Sequence, residues 1–360
     1  MPKVKSKNQV DRDKLKKLYL FPVKANKNEG NPYMNELCKA LEANYRVVNA
    51  DDPPQNGILN IFRYLRTIDL VYLNWIEELP IRYMGVLQSF IFIVVLHYLK
   101  ITRRKVVWTL HNKKSHWGKH PRVSNILFRQ MIRKSDLIIT HAEEGLYLVK
   151  DRSRIEFLHH PIRPISEVDP SEGIPDSDIM IWGTIAPYKG IDTFLQFLDE
   201  RSVLNRYRIL IAGKITPDDL ESRFREFESR SDNLILINEY LPDPRIKACI
   251  KRSKLVLFTY HSDSVLSSGA LMDSLCQSTL VIGPDTGAFR DLYELGLIEV
   301  FSDFPELLKK IDLHLESNGD LGTRREKIIR FISENSWEKY SEKLGRIMLQ
   351  HLSDPGNRPV

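Results

Sequence analysis

The residues best placed for chemistry lie at two loop-to-helix junctions in the second half of the chain. In "IMIWGTIAPYKGIDTFLQFL" an apolar run ends at Gly183 and Thr184, and Lys189 with Gly190 opens the amphipathic stretch that follows. A lysine there sets a mobile positive charge beside backbone N–H groups that already favour an anion. A phosphate is the natural occupant, and a solvated surface lysine is the plain alternative. In "KLVLFTYHSDSVLSSGALMDSLC" a second apolar run leads into Ser267, Ser268 and Gly269, ahead of an apolar helical face formed by Leu271, Met272 and Leu275. Small residues permit close approach and helix-start amides hold anions, although a serine N-cap explains the same pattern. Two such junctions in one half-chain favour a diphosphate.

The usual phosphate signatures are missing. Gly30 stands alone in "NEGNPYMNEL", no GxGxxG follows an apolar run, and no GxxxxGK[ST] loop occurs, which points away from dinucleotides and toward a nucleotide sugar. In the first half, "YLNWIEE" and "TLHN" close two apolar runs and bring Glu77, Glu78, His111 and Asn112 to their ends. A carboxylate or imidazole so placed can accept a proton from a sugar hydroxyl. A helix-start acidic pair and a structural histidine are the plain alternatives. Beyond them, Lys113, Lys114, Lys119 and Arg122 surround Trp117, with Arg129, Arg133 and Lys134 further on. Basic residues with an aromatic suit an anionic membrane surface or a lipid-diphosphate acceptor, a solvated basic face is the plain alternative, and no nucleic-acid-reading module accompanies them. Asp176 to Asp178 precede an apolar run, so a turn or cap is expected there rather than a metal site.

These residues need a frame to hold them. The 360 residues are 42% hydrophobic, enough for two domains with sizeable cores. The formal charge of +6 and a pI near 9.0 suit an anionic partner. Three cysteines far apart, with no paired or metal-ligand spacing, suit a reducing compartment. The basic N-terminus lacks the apolar core of a secretory signal, and a cytoplasmic location is expected. "SFIFIVVLHYL" is too short to span a bilayer and reads as a buried helix, or as one lying in a membrane surface. Six short β-branched or aromatic runs alternate with amphipathic stretches before a Pro-rich, acidic segment at 159–178, and six more follow it. That pattern predicts an α/β fold of two parallel sheets covered by helices and joined by a linker. The C-terminal stretch is helical in period, with a break at Asn335 and Ser336 that can cap a second helix.

On "WGTIAPYKGIDTFLQFL", on the long stretch from "NEYLPDPRIK" through "SVLSSGALMDSLCQSTLVIGPDTGAF", and on "VVWTLHNKKSHW", the chain resembles GT-B glycosyltransferases of the GT4-type group over most of its length. The resemblance implies a GT-B fold of two Rossmann-like domains facing a central cleft. It implies a nucleoside diphosphate sugar in the second domain, with Lys189, Ser267, Ser268 and Gly269 on the diphosphate. Glu239, Tyr240 and Leu241 would contact base or ribose, and Gly30 would lie close to the donor. Two departures stand out. Thr184 replaces the arginine that usually follows the glycine matched to Gly183. In the paired-acid motif Asp273 holds the second position and Val265 the first, with Asp263 two residues away as a substitute.

The expected organisation is an acceptor domain over 1–163, a nucleotide-sugar domain over 164–335, and a C-terminal helix over 336–360 packing back on the first. The expected function is sugar transfer to a glycan or lipid-linked glycan, in cell-surface polysaccharide synthesis, without a metal or other cofactor, with retention preferred and inversion, which would need a carboxylate or histidine base, as the alternative. It would take place at the inner face of an anionic membrane. The catalytic candidates are His111, Lys189, Asp273 and Glu77. Asn112, Lys113, Lys114, Trp117, Lys119 and Arg122 are expected on the acceptor or membrane side. The rivals are a nucleotide-sugar epimerase of the same architecture and a non-catalytic nucleotide-sugar-binding module.

Overall fold

The computed structural model describes residues 15–23, 32–52, 57–115, 119–165, 175–261, 265–316 and 321–352; Gly30, Trp117 and Asp263 lie outside them. The first sheet comprises β1 (Lys17–Phe21), β2 (Arg46–Val47), β3 (Leu70–Asn74), β4 (Lys105–Leu110), β5 (Leu137–Thr140) and β6 (Ile155–Phe157), ordered β2-β1-β3-β4-β5-β6. The second comprises β7 (Ser177–Trp182), β8 (Ile209–Ala212), β9 (Leu234–Ile237), β10 (Ser253–Leu257), β11 (Leu280–Pro284) and β12 (Glu299–Phe301), ordered β12-β11-β10-β7-β8-β9. All pairings are parallel. Parallel sheets are covered on both faces, which is why β3 is buried at every residue.

The first sheet carries α1 (Tyr33–Glu42), α2 (Gly85–Ile101), α3 (Pro121–Lys134) and the short α4 (Glu143–Leu146). The second carries α5 (Ile191–Glu200), α6 (Asp218–Glu228), α7 (Asp243–Lys251), α8 (Gly269–Leu275), α9 (Gly287–Glu294), α10 (Phe304–Glu316) and α11 (Leu321–Glu334). The last helix, α12 (Trp337–Leu352), crosses back. Its Tyr340, Leu344 and Met348 pack with Leu18, Leu20 and Tyr72 of the first sheet, and Ser341 Oγ donates to the Ala40 carbonyl. Ser336 caps it by accepting from the Lys339 amide, and Ile162 pairs with Ser336 where the chain crosses between the domains.

Two expectations are corrected. Asp178 belongs to β7 rather than to a turn before it; its carboxylate accepts from the Arg208 amide and pairs with Lys254. α2 is buried along one face only. Phe92, Val95, Leu96 and Leu99 enter the core, while Leu87, Phe90, Val94 and Ile101 face outward. Among the described residues no helix is long and apolar enough to cross a membrane.

Candidate functional site

In each sheet the strand order reverses once: between β1 and β3 in the first, and between β7 and β10 in the second. Open α/β sheets bind ligands in the crevice beyond the strand ends at such a point. The two crevices merge here into one cleft of about 660 Å³, lined from the first domain by Trp75, Glu78, His111 and Asn112 and from the second by Gly183, Lys189, Ser268 and Asp273, among others.

The wall formed by the second domain is charged. After β7 the chain turns through Gly183 at φ +97°, runs through a 3-10 turn over Pro187–Lys189, and enters α5 at Gly190 with φ +63°. The Thr259 hydroxyl donates to the Lys189 carbonyl and fixes this loop against the end of β10. Lys189 is 3% exposed, which removes the alternative of a solvated surface lysine. Its ammonium donates to the Trp182 carbonyl at 2.8 Å and lies 5.3 Å from the centre of the Tyr260 ring, with no carboxylate paired to it among the described residues. Burial without a counter-charge lowers its pKa to about 7. Gly183 leaves room for it: a Cβ there would stand 3.0 Å from the Lys189 nitrogen. Lys214, just past β8, adds a second cation to the lining.

Across the β7/β10 junction, Ser267, Ser268 and Gly269 line the cleft. Ser268 is the N-cap of α8, its hydroxyl accepting from the Leu271 amide. α8 has only seven residues, so its dipole is short and Lys189 carries most of the positive charge on this side. Thr184 is exposed and lines the cleft. Asp273 is held by Arg163, whose guanidinium reaches it at 2.8 Å and clasps Asp243 with two further bonds of 2.9 and 3.0 Å. Burial raises the Asp273 carboxyl and the arginine opposes that shift. Val265 is buried and makes a β-bridge with Asn112 across the domain junction, so the place of the first acid is apolar. Tyr240 and Leu241 line the cleft, whereas Glu239 is exposed and bound to Arg245 at 2.8 Å.

The wall formed by the first domain is built around neutral imidazoles. His111, at the end of β4, is 4% exposed, stacks on Trp75 with ring centres 4.4 Å apart, and bonds through Nε2 to Asn74 Oδ1 at 3.0 Å. Asn74 donates its amide to the Phe21 carbonyl, so its oxygen accepts from His111 and the imidazole lone pair resides on Nδ1. Burial, with His141 and His160 close by, holds His111 well below the usual histidine range. His141 donates from Nδ1 to the Leu158 carbonyl and receives the Tyr33 hydroxyl. His160 donates from Nδ1 to the Pro161 carbonyl. Each histidine is neutral at pH 7, the His141 and His160 pKa values being lowered by burial to about 3 and about 4.

The two glutamates divide. Glu77 is 1% exposed and does not line the cleft; Asn112 donates to its Oε1 at 3.2 Å, and burial raises its pKa to about 8. Glu78 does line the cleft and accepts from the Ser115 hydroxyl. Lys113 is engaged elsewhere, bridging to Glu144 at 2.5 Å and to Thr286 of the second domain at 2.8 Å, while Glu144 also accepts from the Gly287 amide. Lys114, Lys119 and Arg122 are exposed and stand apart from the cleft lining.

Sequence reasoning missed Trp75, His160, Arg163, Lys214 and Tyr260. Trp75 was readable as an aromatic directly at a strand end. His160 and Arg163 gave no signal within the Pro-rich linker.

No family model and no curated protein sequence matches the chain. Solved structures do. HepE of Anabaena in complex with UDP-glucose aligns at TM-score 0.66 and 14% identity, over 93% of this chain and 99% of that one. The sucrose-phosphate synthase of Thermosynechococcus elongatus aligns at TM-score 0.68 and 13% identity, over 94% and 99%. An E. coli trehalose-6-phosphate protein bound with UDP-2-fluoro glucose aligns at 0.62 and 12%, over 91% and 98%. Two Rossmann-like domains with parallel sheets facing a shared cleft define the fold as GT-B, as the resemblance implied.

Proposed function

We propose that the protein is a glycosyltransferase that moves a sugar from a nucleoside diphosphate donor to a glycan or lipid-linked glycan, in cell-surface polysaccharide synthesis at the inner face of a membrane. The observation that carries this reading is Lys189, a buried amine at the mouth of β7 that pairs with no carboxylate among the described residues and faces a cleft of about 660 Å³. A buried charge without a partner is costly, and an entering diphosphate supplies the missing anion. In this reading Tyr240 and Leu241 lie along the base and ribose. His111 and Asn112 face the transferred sugar from the first-domain wall. Retention is the preferred outcome. The bond from the anomeric carbon to the diphosphate oxygen breaks, a bond to the acceptor oxygen forms on the same face, and the acceptor proton passes to the departing phosphate oxygen. Lys189 and Lys214 stabilise the charge that develops there, so a chelator is expected to leave activity unchanged.

The test is to incubate the protein with UDP, GDP, ADP and dTDP sugars, with and without membrane lipid extract, and to measure released nucleotide. Lipid-dependent release from one donor, lost in Lys189→Ala, supports transfer. A second reading, the non-catalytic binding module, draws on the buried apolar Val265 where an acid is expected. Saturable nucleotide binding without release or conversion would favour it, and conversion of the donor without acceptor would favour an epimerase.

A further inference from the structure

The positive charge of this chain is concentrated in one segment. Between Leu79 and Ser135 there are twelve Lys and Arg and no Asp or Glu, whereas the rest of the chain carries 41 Lys and Arg against 47 Asp and Glu. That segment contains α2 and α3, which pack on each other and cover the same face of the first sheet. Their opposite faces therefore look outward together.

The two outer faces differ in kind. On α2, Leu87, Phe90, Val94, Tyr98 and Ile101 recur at intervals of three and four, interrupted only by His97, and form one stripe roughly 20 Å long. Phe90 is 52% exposed, Val94 69% and Ile101 81%. On α3, Arg122, Arg129 and Arg133 form a parallel exposed row without ion-pair partners among the described residues. An apolar stripe of this size on a charged protein marks a surface that something covers.

We propose that the outer face of α2, with the arginine row of α3 beside it, docks on an anionic lipid bilayer, the apolar stripe entering the headgroup boundary and the arginines meeting lipid phosphates. Apolar insertion beside cations is the pattern of a helix lying in a membrane plane. A second copy of the chain fits poorly, because a symmetric contact would set one acid-free cationic segment against another. The 3-10 segment Ile76–Ile81 packs against both helices and presents Glu78 to the cleft, so docking brings the first-domain wall close to the bilayer. The biological purpose of this surface rests on the reading of a lipid-linked acceptor; its test does not.

The experiment is co-sedimentation with vesicles of equal parts phosphatidylcholine and phosphatidylglycerol, and with phosphatidylcholine vesicles alone. The protein is expected to pellet with the first and not the second, and to be released by salt. Phe90→Ser/Val94→Ser/Ile101→Ser should reduce the partition coefficient by roughly a hundredfold, and Arg129→Gln/Arg133→Gln by roughly tenfold or more, with circular dichroism and nucleotide binding unchanged. Failure to pellet, or pelleting that both variants leave intact, would overturn the inference. So would a dimer in light scattering that the serine variant dissociates. Nucleotide binding without vesicle binding would sink the docking surface and leave the transferase reading in place; the reverse pattern would do the opposite.

Discussion

The two walls of the cleft are built on the same frame and hold different electrostatics. Both sheets have six parallel strands with one reversal of order, and both bring polar side chains to the strand ends beside it. On the second domain those side chains carry charge: the partly protonated amine of Lys189, without a carboxylate among the described residues, and the cluster of Arg163, Asp243 and Asp273. On the first, burial leaves the His111 and His160 imidazoles of the lining unprotonated, with neutral His141 and the acid form of Glu77 behind them, while Glu78 brings a carboxyl to the cleft. Charge left exposed to a cleft recruits a charged ligand from water, whereas neutral donors and acceptors orient a sugar without competing for its phosphates. In the proposed reading, this contrast gives ligand capture to one wall and orientation to the other.

The strongest way to break that comparison is at Lys189. Lys189→Met should weaken binding of whichever of UDP, GDP, ADP or dTDP binds tightest by roughly a hundredfold or more, as expected for a charge-assisted bond in a buried site, measured by titration calorimetry. The wild-type pKa of about 7 leaves the amine only partly protonated in the free protein, and a bound diphosphate raises it. Binding should then take up a proton and weaken as the pH rises from 7 to 9, and the methionine variant should show no uptake at this site. Equal affinity of the two proteins would remove the basis for assigning capture to this wall.

Much of this wall was legible in the sequence because its signals are local. Gly183 directly follows β7, and Lys189 and Ser267 to Gly269 stand at the loop-to-helix junctions before α5 and α8, so period and turn chemistry locate them. Arg163 was not legible: it lies in a Pro-rich linker and meets Asp273 110 positions away, a contact set by how the chain crosses between domains. Nor was the outward face of α2. A helix apolar around its whole circumference has no polar side to mark the direction of solvent, so its composition reads as burial. Glu77 and Glu78 are adjacent in sequence, and only the geometry of the 3-10 segment separates the one behind the wall from the one lining it.

The first-domain wall can be probed through Glu77. Its folded-state pKa of about 8 lies above that of an unfolded glutamate, so the native state holds an extra proton between about pH 4.5 and 8. Stability from this group is complete below that window and is lost as the pH rises through it. Glu77→Gln removes the penalty. The variant should match the wild type at pH 4 and exceed it by about 2–4 kcal/mol at pH 9 in denaturant unfolding. A stability difference that does not change with pH would mean that Glu77 is not held as the acid.

The smallest effects sharpen the charged wall, where Asp273 was expected as a catalytic acid and is found bound to Arg163. Arg163 differs from Lys189 in already having its counter-charges, two carboxylates within 2.9 Å. A cation so satisfied has less to gain from a phosphate, so its cluster should act mainly by fastening the linker to α7 and α8. Asp273→Asn should therefore cost about 1–2 kcal/mol of stability, and the more exposed Asp243→Asn less than about 1, with nucleotide affinity changed by no more than about threefold in either. If instead Asp273→Asn leaves the melting curve in place and abolishes nucleotide release while binding persists, the carboxylate touches the transferred sugar. The charged wall would then capture the donor and act on it as well, and the division of labour between the walls would move into the second domain.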